Sequence, residues 1–350
     1  MKLEEALGRI RPASKETMDA AKERWDNIAM PLHSLGRLQD TIVRIAGMTG
    51  NVEVSLKKKA LLVMCADNGV VEEGVTQTGQ EVTLLVAENM VKQEAVSSLF
   101  CRRAGADLFP VDVGIAAESH AINRKIAWGT KNMTKGPAMT RQEAEKAIEV
   151  GISMVEELKE KGYTIIATGE MGIGNTTTSS AVASVLLHKP VEEMTGRGAG
   201  LSGEGLKKKI AVIKQAIDMH KPDPEDAIDV LAKVGGFDIA GMAGVCLGAA
   251  ALHTPVVIDG FISGVAALVA VRICPETAEY MIASHVSSEP AAQMILDALG
   301  KKAFLHAEMH WGEGTGAVTL FPLLDMAASV YNSMSTFQDI QIEEYKHFEE

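Results

Sequence analysis

Aromatic residues are scarce in this chain, at 4% of 350 positions, and no uninterrupted apolar run reaches the length of a membrane span. A bilayer-crossing helix needs about 20 consecutive apolar residues, so no membrane partner is expected. Basic residues are also in the minority: 34 Lys and Arg face 46 Asp and Glu, a formal net charge of −12. Nucleic acid or an anionic membrane surface would need a sizeable basic face, which excludes both as expected partners. The four cysteines, Cys65, Cys101, Cys246 and Cys274, are far apart and form no C-x-x-C pair. In apolar surroundings they read as reduced, packed thiols, with no disulfide and no cysteine metal site. Met1-Lys2-Leu3-Glu4-Glu5 carries acids and no apolar core, so a secretory signal is not expected and a cytoplasmic location is.

Two familiar phosphate motifs are missing as well. Gly169 to Gly174 has the spacing of a P-loop, but Asn175 stands where the phosphate-gripping lysine belongs. The one formal dinucleotide match, Gly198-Ala199-Gly200-Leu201-Ser202-Gly203, follows a polar turn instead of a strand. His306 and His310 bracket Glu308 at a metal-like spacing, but the segment alternates and helix breakers follow, so no metal site is expected.

What is present is ample core material, 47% apolar residues, in alternating strand and helix patterns. Ala60–Ala66 is a continuous apolar run, as expected of a parallel strand covered on both faces. Further strands are predicted at 107–113, 163–168, 255–259 and 303–309. Helices are predicted at 14–30, 36–48 and from 317 to about 334, and one opens at Thr140 with Glu143 as a capping box and closes at Gly162. The alternation predicts an α/β fold: a doubly wound, mostly parallel sheet flanked by helices, whose ligands bind at the carboxyl ends of the strands. Residues 50–310 are read as the large domain, and 1–49 with 311–350 as a small helical lobe.

Two loops stand out. Thr164 to Thr178 runs from an apolar strand through three glycines into a helix, with Glu170 inside the turn. Glycines let backbone approach an anion, and the free N–H groups of a helix's first turn face it. A carboxylate in such a cradle is awkward unless it meets hydroxyls, water or a cationic part of the ligand. Gly312-Glu313-Gly314-Thr315-Gly316 is the second glycine-flanked glutamate, suited to a general base. Asp238 and Asp259, in Gly-Phe turns, read individually as capping or turn aspartates. Ser284-His285-Val286-Ser287-Ser288-Glu289-Pro290 reads as a helix-entry loop.

Six segments taken together, Asp67-Asn68-Gly69-Val70 through Val75, Gly169 through Thr177, Gly196-Arg197-Gly198, Gly235 through Ala240, Asp259-Gly260-Phe261-Ile262 and Gly312 through Gly316, closely resemble the nicotinate-nucleotide:dimethylbenzimidazole phosphoribosyltransferase family. The resemblance covers nearly the whole chain, in the same order. It implies transfer of ribose 5-phosphate from nicotinate mononucleotide to an aromatic base for a cobamide lower ligand, with no cofactor. It implies Glu313 as the general base; Glu170, Gly172, Gly174, Asn175, Thr176, Gly198 and Lys209 as nucleotide-binding residues; and Asn68, Thr78, Gln80 and Val86 on the acceptor side. The departures lie around the acceptor. Asn68 stands where the family usually has histidine, Thr78-Gly79 where Ser-Pro or Tyr-Pro is usual, and Val86 where a glutamine commonly faces the base. An altered acceptor, a purine or a phenolic ring, is the expectation these changes raise. A dimer is expected, of identical chains or with a paralogue. Two alternatives stand beside this reading: a silent paralogous subunit completing a partner's site, and a phosphoribosyltransferase using the pyrophosphate donor, for which Gly260 replaces the second adjacent acid after Asp259.

Overall fold

In the computed structural model, which describes residues 1–345, the strands are β1 (Lys59–Ala66), β2 (Ala106–Gly114), β3 (Ile122–Asn123), β4 (Ile165–Met171), β5 (Val256–Ile258) and β6 (Met281–Ala283). All neighbours pair in parallel, in the order β3-β2-β1-β4-β5-β6. The chain therefore winds outward from β1 to β3, returns, and winds the other way from β4 to β6. The reversal leaves a crevice between the carboxyl ends of β1 and β4, where open α/β sheets bind their ligands.

β1 is buried at all eight positions: the run Ala60–Ala66 has no polar side to present to water, and Lys59 is covered with its Nζ donating to Asp325 and Leu56 O. One face of the sheet is covered by helix Phe237–Ala251, every residue of which is buried, with Arg141–Glu160 packed outside it. Thr140 caps the latter helix and Glu143 closes the reciprocal bond, as the sequence indicates. The other face carries helices Glu81–Val91, Val96–Ala104 and Thr315–Ser333. Helices predicted at 14–30 and 36–48 form at Lys15–Asn27 and Arg37–Thr49. The first of them meets helix Thr315–Ser333 through Trp25 and Tyr331, whose ring centroids are 5.1 Å apart. That same helix begins against β4 and β5, and five residues of the segment 311–350 lie outside the described residues.

Two expectations need correcting, and two strands were not predicted. Residues 303–309 form no strand: the sheet ends at β6, and Leu305 makes only a single bridge to His285. The segment runs beside 284–288 through a few backbone hydrogen bonds, such as Val286 N to Leu305 O at 3.0 Å, but His306, Ala307 and Glu308 are all exposed and no ladder forms. β6 and β3, at three and two residues, are too short for periodicity to reveal. Glu170 is not in a loop. Its strand continues to Met171, with Glu170 level with Met64 of β1.

Candidate active site

Beyond β4 the chain turns through Gly172 and Gly174 into helix Asn175–Leu186. Gly174 has φ +95°, and a Cβ there would lie 2.8 Å from Val71 Cγ2, so both backbone and space call for glycine. Asn175 Nδ2 donates to Asp238 Oδ2 at 2.9 Å and also to Glu170 Oε2. Both acids are buried. Burial pushes Glu170 up to about 8; the Asn175 bond opposes this, and the nearby Asp238 and Asp259 add to it. Burial likewise lifts Asp238 to about 6, against hydrogen bonds from Asn175 and the Ile239 backbone. Glu170 therefore carries a proton at neutral pH, which removes the conflict between a carboxylate and an anion cradle.

The second loop is strained. Gly312, Glu313 and Gly314 have φ values of +88°, +57° and +78°. For glutamate a left-handed conformation costs on the order of 1–3 kcal/mol and persists only where the surroundings hold it. They do so here through the side chain. Glu313 Oε2 accepts from Ser97 N at 3.1 Å and Ser97 Oγ at 2.8 Å, and Oε1 accepts from Trp311 Nε1 at 2.9 Å. Ser97 lies in the first turn of helix Val96–Ala104, whose N-cap Ala95 has no oxygen to offer, so Glu313 caps that helix from 216 residues away. A Cβ on Gly312 would sit 2.5 Å from Glu170 Oε1; its absence lets this loop touch the end of β4.

Glu170 and Glu313 open into one cavity of about 600 Å³. Asn175, Thr176, Gly172 and Gly198 line its nucleotide-loop side, while Val82, Val86, Ile173, Phe261, Ile262 and Trp311 supply apolar surface. Gly174 shapes the turn behind the wall. Lys209 stands one layer back: its buried Nζ donates to Thr176 Oγ1 at 2.8 Å and Gly196 O at 3.2 Å, and burial draws its pKa down to about 8. Of the four acceptor-side residues, Val86 lines the cavity. Asn68 is fully buried beneath the nucleotide loop, where its Oδ1 accepts from Thr178 Oγ1 at 3.2 Å. Gln80 Nε2 donates to Asn68 O at 3.1 Å, and Thr78 is exposed, its carbonyl accepting from Thr76 Oγ1.

Four residues join the site that sequence patterns left aside. Ser97 sits in an ordinary amphipathic helix and carries no signal. Asp238 and Asp259 do cap or turn backbone, but Asp259 Oδ1 accepts from Ala317 N at 2.9 Å, at the start of helix Thr315–Ser333 instead of its own. Its position just past a buried parallel strand was the available clue. His285 lines the same cavity from the loop that leads into helix Ala292–Ala298, so its segment is a helix-entry loop and part of the site as well.

A doubly wound parallel sheet, with two acids and a glycine-rich helix start converging near its switch point, has the site of an α/β-class enzyme. The family model described as phosphoribosyltransferase matches residues 10–342. Two nicotinate-nucleotide–dimethylbenzimidazole phosphoribosyltransferases are each 51% identical: that of Ruminiclostridium cellulolyticum over the full length of both chains, and that of Acetivibrio thermocellus over 95% of each. The crystal structure of CobT from Thermus thermophilus superposes with a TM-score of 0.89 at 36% identity, covering 94% of this chain and 99% of that one. The chain belongs to the nicotinate-nucleotide–dimethylbenzimidazole phosphoribosyltransferase family.

Proposed function

We propose that this chain moves the 5-phosphoribosyl group of nicotinate mononucleotide onto an aromatic base, releasing nicotinate and leaving an α-ribosyl phosphate for a cobamide lower ligand. The observation that carries this is the opening of Glu170 and Glu313 into a single cavity with an apolar flank. Nicotinate bonded through its ring nitrogen is a cationic leaving group, so C1′ loses it through an oxocarbenium-like transition state. The acceptor attacks from the apolar side, and Glu313, already fixed by Ser97 and Trp311, takes its proton. A proton transfer so positioned contributes roughly 100- to 10,000-fold. Thr176, Gly198 and, through Thr176, Lys209 form the phosphate end, and the proton-bearing Glu170 meets the ribose or the pyridinium ring.

Selection for dimethylbenzimidazole is read as weakened, with a purine or a phenolic ring as the altered acceptor. Val86 presents a hydrocarbon surface where an amide would pair with a ring nitrogen, and Asn68 spends its side chain on Thr178 and Ala66. A site that offers no polar partner selects weakly for a polar feature. Single-turnover rates with dimethylbenzimidazole, adenine and phenol decide it, and a clear preference for the benzimidazole removes the altered acceptor. Identification of the ribosides formed from nicotinate mononucleotide tests the transfer itself.

Three further parts of the reading follow the family. The enzyme is placed in the cytoplasm; among the described residues no helix is long and apolar enough to cross a membrane. It works as a dimer, which sedimentation tests. Residues 1–49 and 311–350 act as a small lobe on the 50–310 body, supported by the Trp25–Tyr331 packing and the Ile28–Thr336 bridge, and limited proteolysis near residues 50 and 310 checks the boundary.

A further inference from the structure

His285 is a buried histidine, 4% exposed, at the carboxyl end of β6, and it lines the candidate active site without any part in the chemistry derived above. Its tautomer follows from its neighbour. Ser284 has one hydroxyl hydrogen, which goes to Ile258 O at 2.8 Å. At His285 Nδ1, 3.0 Å away, Ser284 Oγ is therefore the acceptor, and Nδ1 carries the ring hydrogen. Asp259 Oδ1, at 3.8 Å from Nδ1, is beyond hydrogen-bond reach and is occupied by the Ala317 backbone N–H. Nε2 is left with its lone pair and no hydrogen-bond partner among the described residues. It lies beside Gly260, another cavity-lining residue, where a Cβ would come within 3.1 Å of it.

An acceptor that lines the substrate cavity with its lone pair uncommitted within the protein is open to a ligand that supplies a donor. Nicotinate mononucleotide has few to supply. Its phosphate and carboxylate are anionic acceptors and its ring nitrogen is bonded to C1′, which leaves the 2′- and 3′-hydroxyls of the ribose as its only hydrogen-bond donors. We propose that His285 reads the sugar: its Nε2 accepts a hydrogen bond from one ribose hydroxyl of the nucleotide donor. This deepens the transfer reading above and rests on it. A deoxyribosyl donor leaves that lone pair unpaired, so the contact discriminates between ribosyl and deoxyribosyl nucleotides.

The test is a cycle between enzyme and substrate at pH 8. kcat/KM is measured for nicotinate mononucleotide and for its 2′-deoxy and 3′-deoxy analogues, on the wild type and on His285→Ala, His285→Asn and His285→Gln. The ratio between two donors within one variant does not depend on how much of that variant is folded, so poor folding cannot mimic the result. The intrinsic effect of removing a hydroxyl on ribosyl chemistry also cancels between variants. The expected outcome is that the penalty for one deoxy analogue shrinks by about 10-fold in His285→Ala. Asn, whose amide overlies Nδ1 and lacks the Nε2 function, should behave as Ala. Gln, whose amide oxygen reaches the Nε2 position, should restore the discrimination. Penalties unchanged by His285→Ala for both analogues overturn the proposal, as does rescue by Asn with none by Gln, because that pattern belongs to support of Ser284. A wild type that releases no nicotinate from nicotinate mononucleotide sinks the underlying reading instead, and this contact with it.

Discussion

Glu313, in a loop before a helix, and Glu170, at the end of β4, are both buried glutamates, yet their surroundings give them different work. Glu313 is gripped by three donors on two elements, which fixes its position without a partner charge. Glu313→Gln keeps the shape and cannot take a proton, so kcat should fall roughly 100- to 10,000-fold while nucleotide binding survives. Unchanged turnover would mean a partner chain carries the reaction. Glu170 has no cation beside it, and burial among Asp238 and Asp259 holds it protonated up to about 8. A pyridinium cation arriving next to it favours the ionised form. Binding of nicotinate mononucleotide at pH 7 should then release a proton, seen by calorimetry in buffers of different ionisation enthalpy, and Glu170→Gln should abolish the release. Proton-neutral binding by the wild type removes Glu170 from the pyridinium end.

At the level of elements, the tightest contact is between helices Arg141–Glu160 and Phe237–Ala251. A Cβ on Gly244 would lie 1.9 Å from Ile148 O, a backbone atom that cannot swing aside. Gly244→Ala should cost about 3 kcal/mol or more through overpacking, and Thr140→Ala, which removes an exposed cap on the same helix pair, about 1 kcal/mol. Urea midpoints rank the two, and the reverse order would mean that the helices separate readily. Some of the longer elements were legible beforehand, β1 as an unbroken apolar run and Arg141–Glu160 by its capping box and Gly162, whereas helices such as Gly203–His220 and Phe237–Ala251 were not singled out. The failures have local causes. β6 and β3 are too short to show a pattern, and 303–309 has a strand's alternation in sequence but joins 284–288 through only one bridge and a few backbone hydrogen bonds. In the site, the glycine-flanked acids were visible as motifs, whereas Ser97 and His285 acquire meaning only from what folds against them.

Across the whole molecule, the buried acids at the switch point tie stability to pH. Glu170 rises from 4.5 to about 8 and Asp238 from 3.8 to about 6, so the folded state binds protons that the unfolded state has already lost. Their stabilising contribution is fully present below pH 4 and disappears as pH climbs through those folded values. Tm should therefore decline between pH 5 and pH 8.5, and Glu170→Gln should flatten the decline. A Tm that rises through this window in the wild type and is untouched by the substitution would show that Glu170 is ionised in the fold.

The sequence by itself determined what depends on neighbours along the chain: which runs are buried strands, where helices start, and that two glutamates lie between glycines after such elements. Strand order, the shared cavity, the cap that Glu313 places on a distant helix and the tautomer of His285 were decided only by tertiary structure. Each depends on groups brought together across the sheet from far apart in the chain. The proton on Glu170 depends on water being excluded, which happens only when the layers close over the crevice.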